Sequence, residues 1–178
     1  MLPAMESWAA RLHSFAPLVV FAVDALLKRA TLPFPVIAAL DETAHLTTAD
    51  LLLGALCPRA AIPFARVARV AAVLIDLDHV PKYAGWRWLA REAGRPYSHS
   101  LPAIAALLAI AARSAGLRKV ALGAAFGLAT HLLRDLSDED GAPFLWPVVA
   151  RDVRILYGIY AATLLVAAVV GARRARRP

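Results

Sequence analysis

The stretch GLATHLLRDLSDEDGAPFLWPV, residues 127–148, ends an apolar helix on a histidine and an aspartate and continues into an acidic turn. Four residues recur at a spacing of four, which places them on one slightly drifting stripe of a helix predicted over 117–135: Gly123, Gly127, His131 and Asp135. The glycines permit close approach of a neighbouring helix. A charged residue on an inward stripe costs on the order of 2.5 to 3.5 kcal/mol at mid-bilayer and less near the surface. A divalent cation would offset this cost for both residues, because imidazole and carboxylate are its ordinary ligands.

Composition indicates a membrane protein. The 178-residue chain is 60% hydrophobic, above the roughly half expected of soluble domains, and its mean hydropathy is +0.59. Its length predicts a single domain, 1–178. The one cysteine, Cys57, excludes an intrachain disulfide and a thiolate zinc site. The net charge is +7, but the basic residues are not gathered on one amphipathic stretch with interleaved aromatics, so no nucleic-acid partner is expected.

The chain is predicted to be all-α. Five Ala- and Leu-rich segments without period-two alternation are predicted helices: roughly 44–56, 60–78, 99–113, 117–135 and 153–172. The last is long enough to span a bilayer, whereas the first is well short of the ~20 residues needed and is predicted to be buried or re-entrant. The prolines at 33 and 35 predict a helix to about residue 29, followed by a broken or interfacial piece.

This pattern predicts a polytopic membrane helical bundle with about four to six membrane-embedded helices. It consists of an N-terminal segment (1–40), a core (42–148), a final transmembrane helix (153–172) and a basic tail (173–178). If the helices alternate in direction, one set of ends carries basic residues without acids: Arg59, Arg113, Arg118, Lys119, Arg173, Arg174, Arg176 and Arg177. The positive-inside rule makes that face and the C-terminus cytoplasmic. The polar cluster is therefore expected on the non-cytoplasmic side.

Three further constellations share that side. In LIDLDHVP, Asp76 and His79 are three apart and share a helix face, while Asp78 points elsewhere unless the helix unwinds before Pro81. RPYSHSLP has His99 opening the next helix, and DETAHLTTADLLLG has His45 near the start of its helix with Asp41 and Glu42 just before. One helix-end histidine is more often a cap or a core residue than a ligand, but four such groups at matching ends favour a shared metal site.

Other chemistry is less well supported. Ser98 and Ser100 flank His99, but adjacent helical residues point apart and no GxSxG elbow is present, which disfavours a serine nucleophile. His13 has no acidic neighbour in a matching position and is predicted to be interfacial or structural. A proton or metal transporter remains an alternative, because ionisable residues inside membranes often form relays. The position of the ligands at helix ends favours a site open to one side.

At these residues the sequence resembles the YdjM-type, LexA-regulated family of membrane-bound metal-dependent hydrolases. The matching pieces are HLTTADLLLGAL, LIDLDH, YSHSL and GLATHLLRDLSDEDGAPFLWPV, in family order over about 42–148. The chain departs where the family usually has proline before DxDH, at Ile75, and where it commonly has a basic residue and glycine before HS, at 95–97. More remotely, the family is similar to the all-α zinc-dependent phospholipase C and nuclease superfamily.

The resemblance implies hydrolysis assisted by one to three divalent ions, expected to be zinc. It implies a set of metal ligands, with Asp76 as a further candidate ligand: His45, Asp78, His79, His99, His131 and Asp135. Asp76 or Glu42 would take the proton from water. Arg134, Arg95 and Lys82 are the expected phosphate clamps, with Ser100 beside the substrate. The expected substrate is a phospholipid or another amphiphilic phosphoester, and the expected location is the inner membrane. A non-catalytic metal-binding or transport protein is the alternative, and no oligomeric state is predicted.

Overall fold

The computed structural model describes the backbone of residues 3–83, 85–86, 95–149 and 151–176. These residues form helices joined by turns and contain no strand, only an isolated bridge between Ala142 and Val153, so the all-α prediction is confirmed. The elements are α1 (Pro3–Arg29), α2 (Phe34–Leu56), α3 (Ile62–Leu74), a 3-10 turn (Ile75–Asp78), α4 (His79–Tyr83), α5 (Leu101–Arg113), α6 (Arg118–Asp135) and α7 (Tyr157–Ala175).

The N-terminal prediction is half right. The helix that was expected to end at about residue 29 does end at Arg29, but the broken piece expected up to residue 40 is wrong. Residues 34–56 form one continuous helix, α2, with Pro35 in its first turn, where a missing N–H costs no hydrogen bond. Asp41 and Glu42 consequently lie inside α2, about two turns from its start, rather than before it.

The unwinding expected before Pro81 is confirmed. The regular α-helix ends at Leu74, and a 3-10 turn carries the next four residues up to Asp78. A 3-10 turn has three residues per turn instead of 3.6, so side chains within it are redirected relative to the α-helix. This change brings Asp76 and Asp78 to the same histidine, as described below.

The structure divides into two compact units. Unit 1 comprises residues 1–60 and 161–178, and unit 2 comprises residues 61–160. In unit 1 the imidazole of His13 on α1 lies against two glycines, Gly54 of α2 and Gly171 of α7: a Cβ at Gly54 would lie 1.7 Å from its Nε2. Arg174 donates a hydrogen bond to the carbonyl oxygen of Ala55 near the end of α2. These contacts agree with the structural role, one of the two expected for His13.

In unit 2, α3 and α6 run in the same direction and approach closely at the predicted glycine stripe. A Cβ at Gly123 would lie 2.7 Å from the carbonyl oxygen of Phe64, and one at Gly127 would lie 2.2 Å from that of Ala68. Only hydrogen fits in these positions, so the glycines set the distance between the helices. The other side of α6 forms an apolar core with α5 and the chain after the acidic turn, centred on Leu128, Leu132, Leu136 and Ala142.

One helix of the described residues, α7, is long and apolar enough to cross a membrane by length and composition. α5 is apolar but shorter, at 13 residues. The prediction of about four to six membrane-embedded helices therefore stays a prediction.

Candidate metal centre

His131 is oriented by α3. Its Nδ1 lies 2.8 Å from the carbonyl oxygen of Ala72. Because a carbonyl oxygen only accepts hydrogen bonds, Nδ1 carries the proton. In the neutral ring, Nε2 then carries a lone pair. That nitrogen faces two carboxylate oxygens, 3.4 Å from Asp76 Oδ1 and 3.2 Å from Asp135 Oδ2. His131 and Asp135 thus act together at the end of α6, as their spacing predicted.

His99 reaches the same place from the turn that precedes α5. The turn is held by a hydrogen bond from the His99 N–H to the carbonyl oxygen of Pro96, and Leu101 N–H donates to the carbonyl oxygen of Phe144 at 2.7 Å. The Nε2 of His99 lies 3.1 Å from Asp76 Oδ1, and its Nδ1 lies 3.3 Å from Asp78 Oδ2. The imidazole therefore lies between the two aspartates of the 3-10 turn.

Four atoms of unit 2 form what we call the donor ring: His99 Nε2, Asp76 Oδ1, His131 Nε2 and Asp135 Oδ2. In this order, and back to the first, their separations are 3.1, 3.4, 3.2 and 3.6 Å. Ligand atoms about 2.0–2.2 Å from a tetrahedral zinc ion lie roughly 3.3–3.6 Å apart. The four separations of neighbouring ring atoms are close to this range, and the nitrogen and oxygen donors suit zinc.

The ring is strongly buried. His99, His131 and Asp135 are at most 1% exposed, whereas the Asp76 side chain is 23% exposed. Burial lowers the pKa of His99, but hydrogen bonds to Asp76 and Asp78 and the negative charge of Asp135 outweigh it and raise the pKa above its ordinary value. The metal-free site therefore favours a proton where a cation would bind.

Asp78 supports the ring without belonging to it. Its carboxylate accepts a hydrogen bond from the Ser98 hydroxyl and lies 3.1 Å from His79 Nδ1. Burial raises the pKa of Asp78, but hydrogen bonds from His79, His99 and Ser98 outweigh it and lower the pKa to about 2. His79 Nδ1 also lies 3.5 Å from Asp76 Oδ1. A second group of four residues could hold a metal ion, because one ligand atom from each lies within 4.8 Å of the others: Asp76, Asp78, His79 and His99.

Arg95 contacts the protein rather than facing outward. Its Nε lies 3.1 Å from Asp135 Oδ2, its Nη2 donates to Asp138 Oδ2 at 3.1 Å, and its Nη1 donates to the carbonyl oxygen of Gly141 at 2.8 Å. The guanidinium thereby joins the turn that carries His99 to the end of α6 and the acidic turn.

The five other predicted residues are divided between the two units. Ser100 and Arg134 are buried in unit 2, 1% and 7% exposed. Lys82 belongs to α4, but its side chain lies outside the described residues. Glu42 and His45 lie on α2 in unit 1, where the buried His45 has its Nε2 3.9 Å from Asp41 Oδ2. The roles assigned to these residues stay predictions.

Two features that orient the site residues were not predicted from the sequence. The carbonyl oxygen of Ala72 orients His131, and a backbone acceptor leaves no mark on residue identity. The Tyr97 ring stacks on Trp146, with centroids 4.4 Å apart and planes at 14°, which fixes the His99 turn against the 143–147 segment. Two aromatic residues in the matched motifs were a visible signal for that contact.

A family model, described as YdjM inner membrane protein, matches residues 38–178. The matched range contains all of unit 2 and therefore the whole donor ring. Searches of the curated proteins and of the solved structures return no significant match.

Proposed function

This chain belongs to the YdjM inner membrane protein family, and from that premise we propose that it is a membrane-bound, metal-dependent hydrolase. The observation that supports the proposal best is the donor ring, whose neighbouring atoms lie 3.1 to 3.6 Å apart, close to the spacing of ligand atoms around one zinc ion. Two imidazole nitrogens and two carboxylate oxygens around one point repel one another unless a cation or a proton lies between them.

We assign His99, His131 and Asp135 as the metal ligands, because they are the three most buried members of the ring. Two histidines and one carboxylate with one further position are a known arrangement for catalytic zinc. Asp76, at 23% exposure, is the member nearest solvent and would lie beside the position left for water. The two imidazoles are preset for binding, since each directs its Nδ1 to an acceptor and its Nε2 into the ring.

Zinc in this position would act as a Lewis acid and lower the pKa of bound water to near neutrality. Asp76 is then the base that accepts the proton of the attacking water and returns it to the leaving group. Asp78 and His79 hold this base and His99 in place, so we propose positioning roles for them in place of the ligand roles implied by the resemblance. The buried Arg134 remains the candidate for stabilising negative charge.

The proposed substrate is an amphiphile with a phosphoester bond. Apolar side chains alternate with the polar ones after α3: Leu77 is 60% exposed and Val80 is 59% exposed. They flank Asp76 and His79, so an acyl chain could lie beside the ring while its headgroup reaches the metal. Membership of an inner membrane protein family supports a lipid-soluble substrate.

The test uses purified full-length protein in detergent with a panel of phospholipids. We expect bound zinc, release of a phosphorylated or dephosphorylated lipid product, and loss of turnover on chelation with recovery on adding zinc. Asp76→Asn should retain the metal and lose turnover. Zinc-loaded protein that hydrolyses none of the panel, nor soluble phosphoesters, would contradict the hydrolase proposal.

A non-catalytic metal-binding or transport protein is the second candidate. The donor ring favours it in one respect, because zinc held by four protein ligands would be in a closed site, as structural zinc ions are. The cobalt(II) spectrum of the substituted protein separates the two. A closed site predicts a spectrum that phosphate does not change, whereas an open position predicts a change in the visible bands when phosphate is added.

A further inference from the structure

We propose that Arg95 is a positioning residue: it holds Asp135 in the orientation that binds the metal and couples the His99 turn to the end of α6. The inference rests on the proposed metal site. It assigns Arg95 a different role from the phosphate clamp expected from the sequence.

The geometry carries this inference. The three guanidinium nitrogens contact three different acceptors, namely a buried ring carboxylate (Asp135), an exposed carboxylate (Asp138) and a carbonyl oxygen (Gly141). These contacts measure 3.1, 3.1 and 2.8 Å. The Arg95 side chain is only 15% exposed. Three of its five N–H groups thus face protein acceptors, and the small exposure leaves little of the guanidinium accessible to a substrate phosphate.

The contact at Asp135 explains how Arg95 acts on the metal. Asp135 Oδ2 lies 3.1 Å from Arg95 Nε and also belongs to the donor ring. A carboxylate rotates freely about its terminal bond unless a neighbour fixes it, and the positive charge of a guanidinium 3.1 Å away favours one orientation. Residues that orient a ligand from outside the first coordination sphere typically change metal affinity by about 10- to 100-fold when removed.

Arg95 also links the ligands across the chain. It lies four residues before His99, and its acceptors Asp135 and Asp138 lie at the end of α6 and in the acidic turn. The single charged group thus connects the two segments that supply three of the four ring atoms. Lysine has one compact ammonium group and cannot keep all three contacts.

The experiment is a cobalt(II) titration of the full chain in detergent, followed by calorimetry and by the visible spectrum. Arg95→Gln should weaken binding about 10- to 100-fold, with Arg95→Lys between it and the parent protein. Arg151→Gln is the matched control, since Arg151 is an exposed arginine of the same unit and its loss removes the same charge. Asp135→Asn and the double variant complete a mutant cycle.

If Arg95 acts through Asp135, Arg95→Gln has no further effect on affinity once Asp135 is Asn. Arg95→Gln with unchanged affinity, or an equal loss in both backgrounds, would overturn the inference. A lower melting temperature with unchanged affinity would show a purely structural role and would overturn it too. Absence of cobalt binding in the parent protein would overturn the proposed function together with this inference, whereas parental binding with an unaffected Arg95→Gln variant would overturn the inference alone.

Discussion

His131 donates its Nδ1 proton to the carbonyl oxygen of Ala72 at 2.8 Å, one turn beyond the point where Gly127 lies against the carbonyl oxygen of Ala68. The close approach of α3 and α6 and the orientation of the imidazole therefore share one cause. A helix held farther away would leave Nδ1 without this acceptor and would leave the tautomer undefined.

The close contact of Gly127 with α3 can be tested by adding a single methyl group. Gly127→Ala would place a Cβ 2.2 Å from the carbonyl oxygen of Ala68, so α6 must move away from α3. We expect a loss of about 1–3 kcal/mol of stability, as for other overpacked interiors, and weaker metal binding because His131 moves with the helix. Thermal unfolding in detergent measures the first effect. Gly116→Ala is the control, since nothing lies within 4 Å of its added Cβ; an equal loss there would contradict the explanation.

Metal analysis should distinguish the proposed ligand His131 from the proposed base Asp76. His131→Gln removes one of the three proposed ligands and should yield protein with little bound zinc, whereas Asp76→Asn should keep most of its zinc. Elemental analysis after gel filtration gives the ratio of metal to protein, and circular dichroism checks that both variants fold. Full zinc occupancy in His131→Gln would remove His131 from the ligand set.

The stability of the metal-free protein should depend on pH through His99. The pKa of His99 in the folded state is raised above the ordinary 6.5. Its contribution to the free energy of unfolding is therefore fully present below pH 6.5, and is lost as the pH rises through the folded-state pKa. Metal binding needs the neutral ring, so added zinc should stabilise increasingly over the same interval. Melting curves between about pH 5.5 and about pH 8.5, with and without zinc, measure both trends. A metal-free protein that gains stability as pH rises through this range would disagree with the assignment.

The Tyr97–Trp146 stack should help to hold the His99 turn. Trp146→Ala removes a stacked partner at 4.4 Å, and aromatic pairs contribute about 0.5–1.5 kcal/mol beyond their buried area. We expect a lower melting temperature and a modest loss of metal affinity, with Trp146→Phe in between. Trp86→Phe serves as the control because Trp86 is 57% exposed.

Membrane orientation can be tested by cysteine labelling. Cys57 is the chain's single cysteine, so Cys57→Ser gives a background without thiols. In that background, Arg176→Cys at the basic end of α7 should react only from the cytoplasmic side, by the positive-inside rule. Val148→Cys, at an 87% exposed position near the proposed site, should react from the opposite side. Reaction of both from the same side would contradict the predicted topology.

The sequence allowed the helices of unit 2 to be predicted because their signals are local. Four-residue spacing marked the α6 stripe, and Pro81 indicated the unwinding after α3. α2 was predicted too short because Pro35 was taken as an interruption, although proline is tolerated in a first turn. The local pattern could not show whether the helix began before or after that proline.

Within the site, residue types were easier to predict than roles. His99, His131 and Asp135 were assigned from their positions at helix ends, and they do come together. Asp76 and Asp78 could not be ranked, because two carboxylates two residues apart differ only in where the 3-10 turn directs them. The role of Arg95 could not be predicted either, since its acceptors lie 40 or more residues away in the chain.

The pairing of α3 with α6 recurs every four residues, from Phe64 with Gly123 through Ala72 with His131. One residue inserted between Gly127 and His131 would rotate the imidazole by roughly 100° about the helix axis, and no rearrangement of side chains could return it. Length variation among descendants of this chain should therefore accumulate in the connections between helices, while 64–76 and 123–135 keep a fixed number of residues even where their apolar side chains diverge.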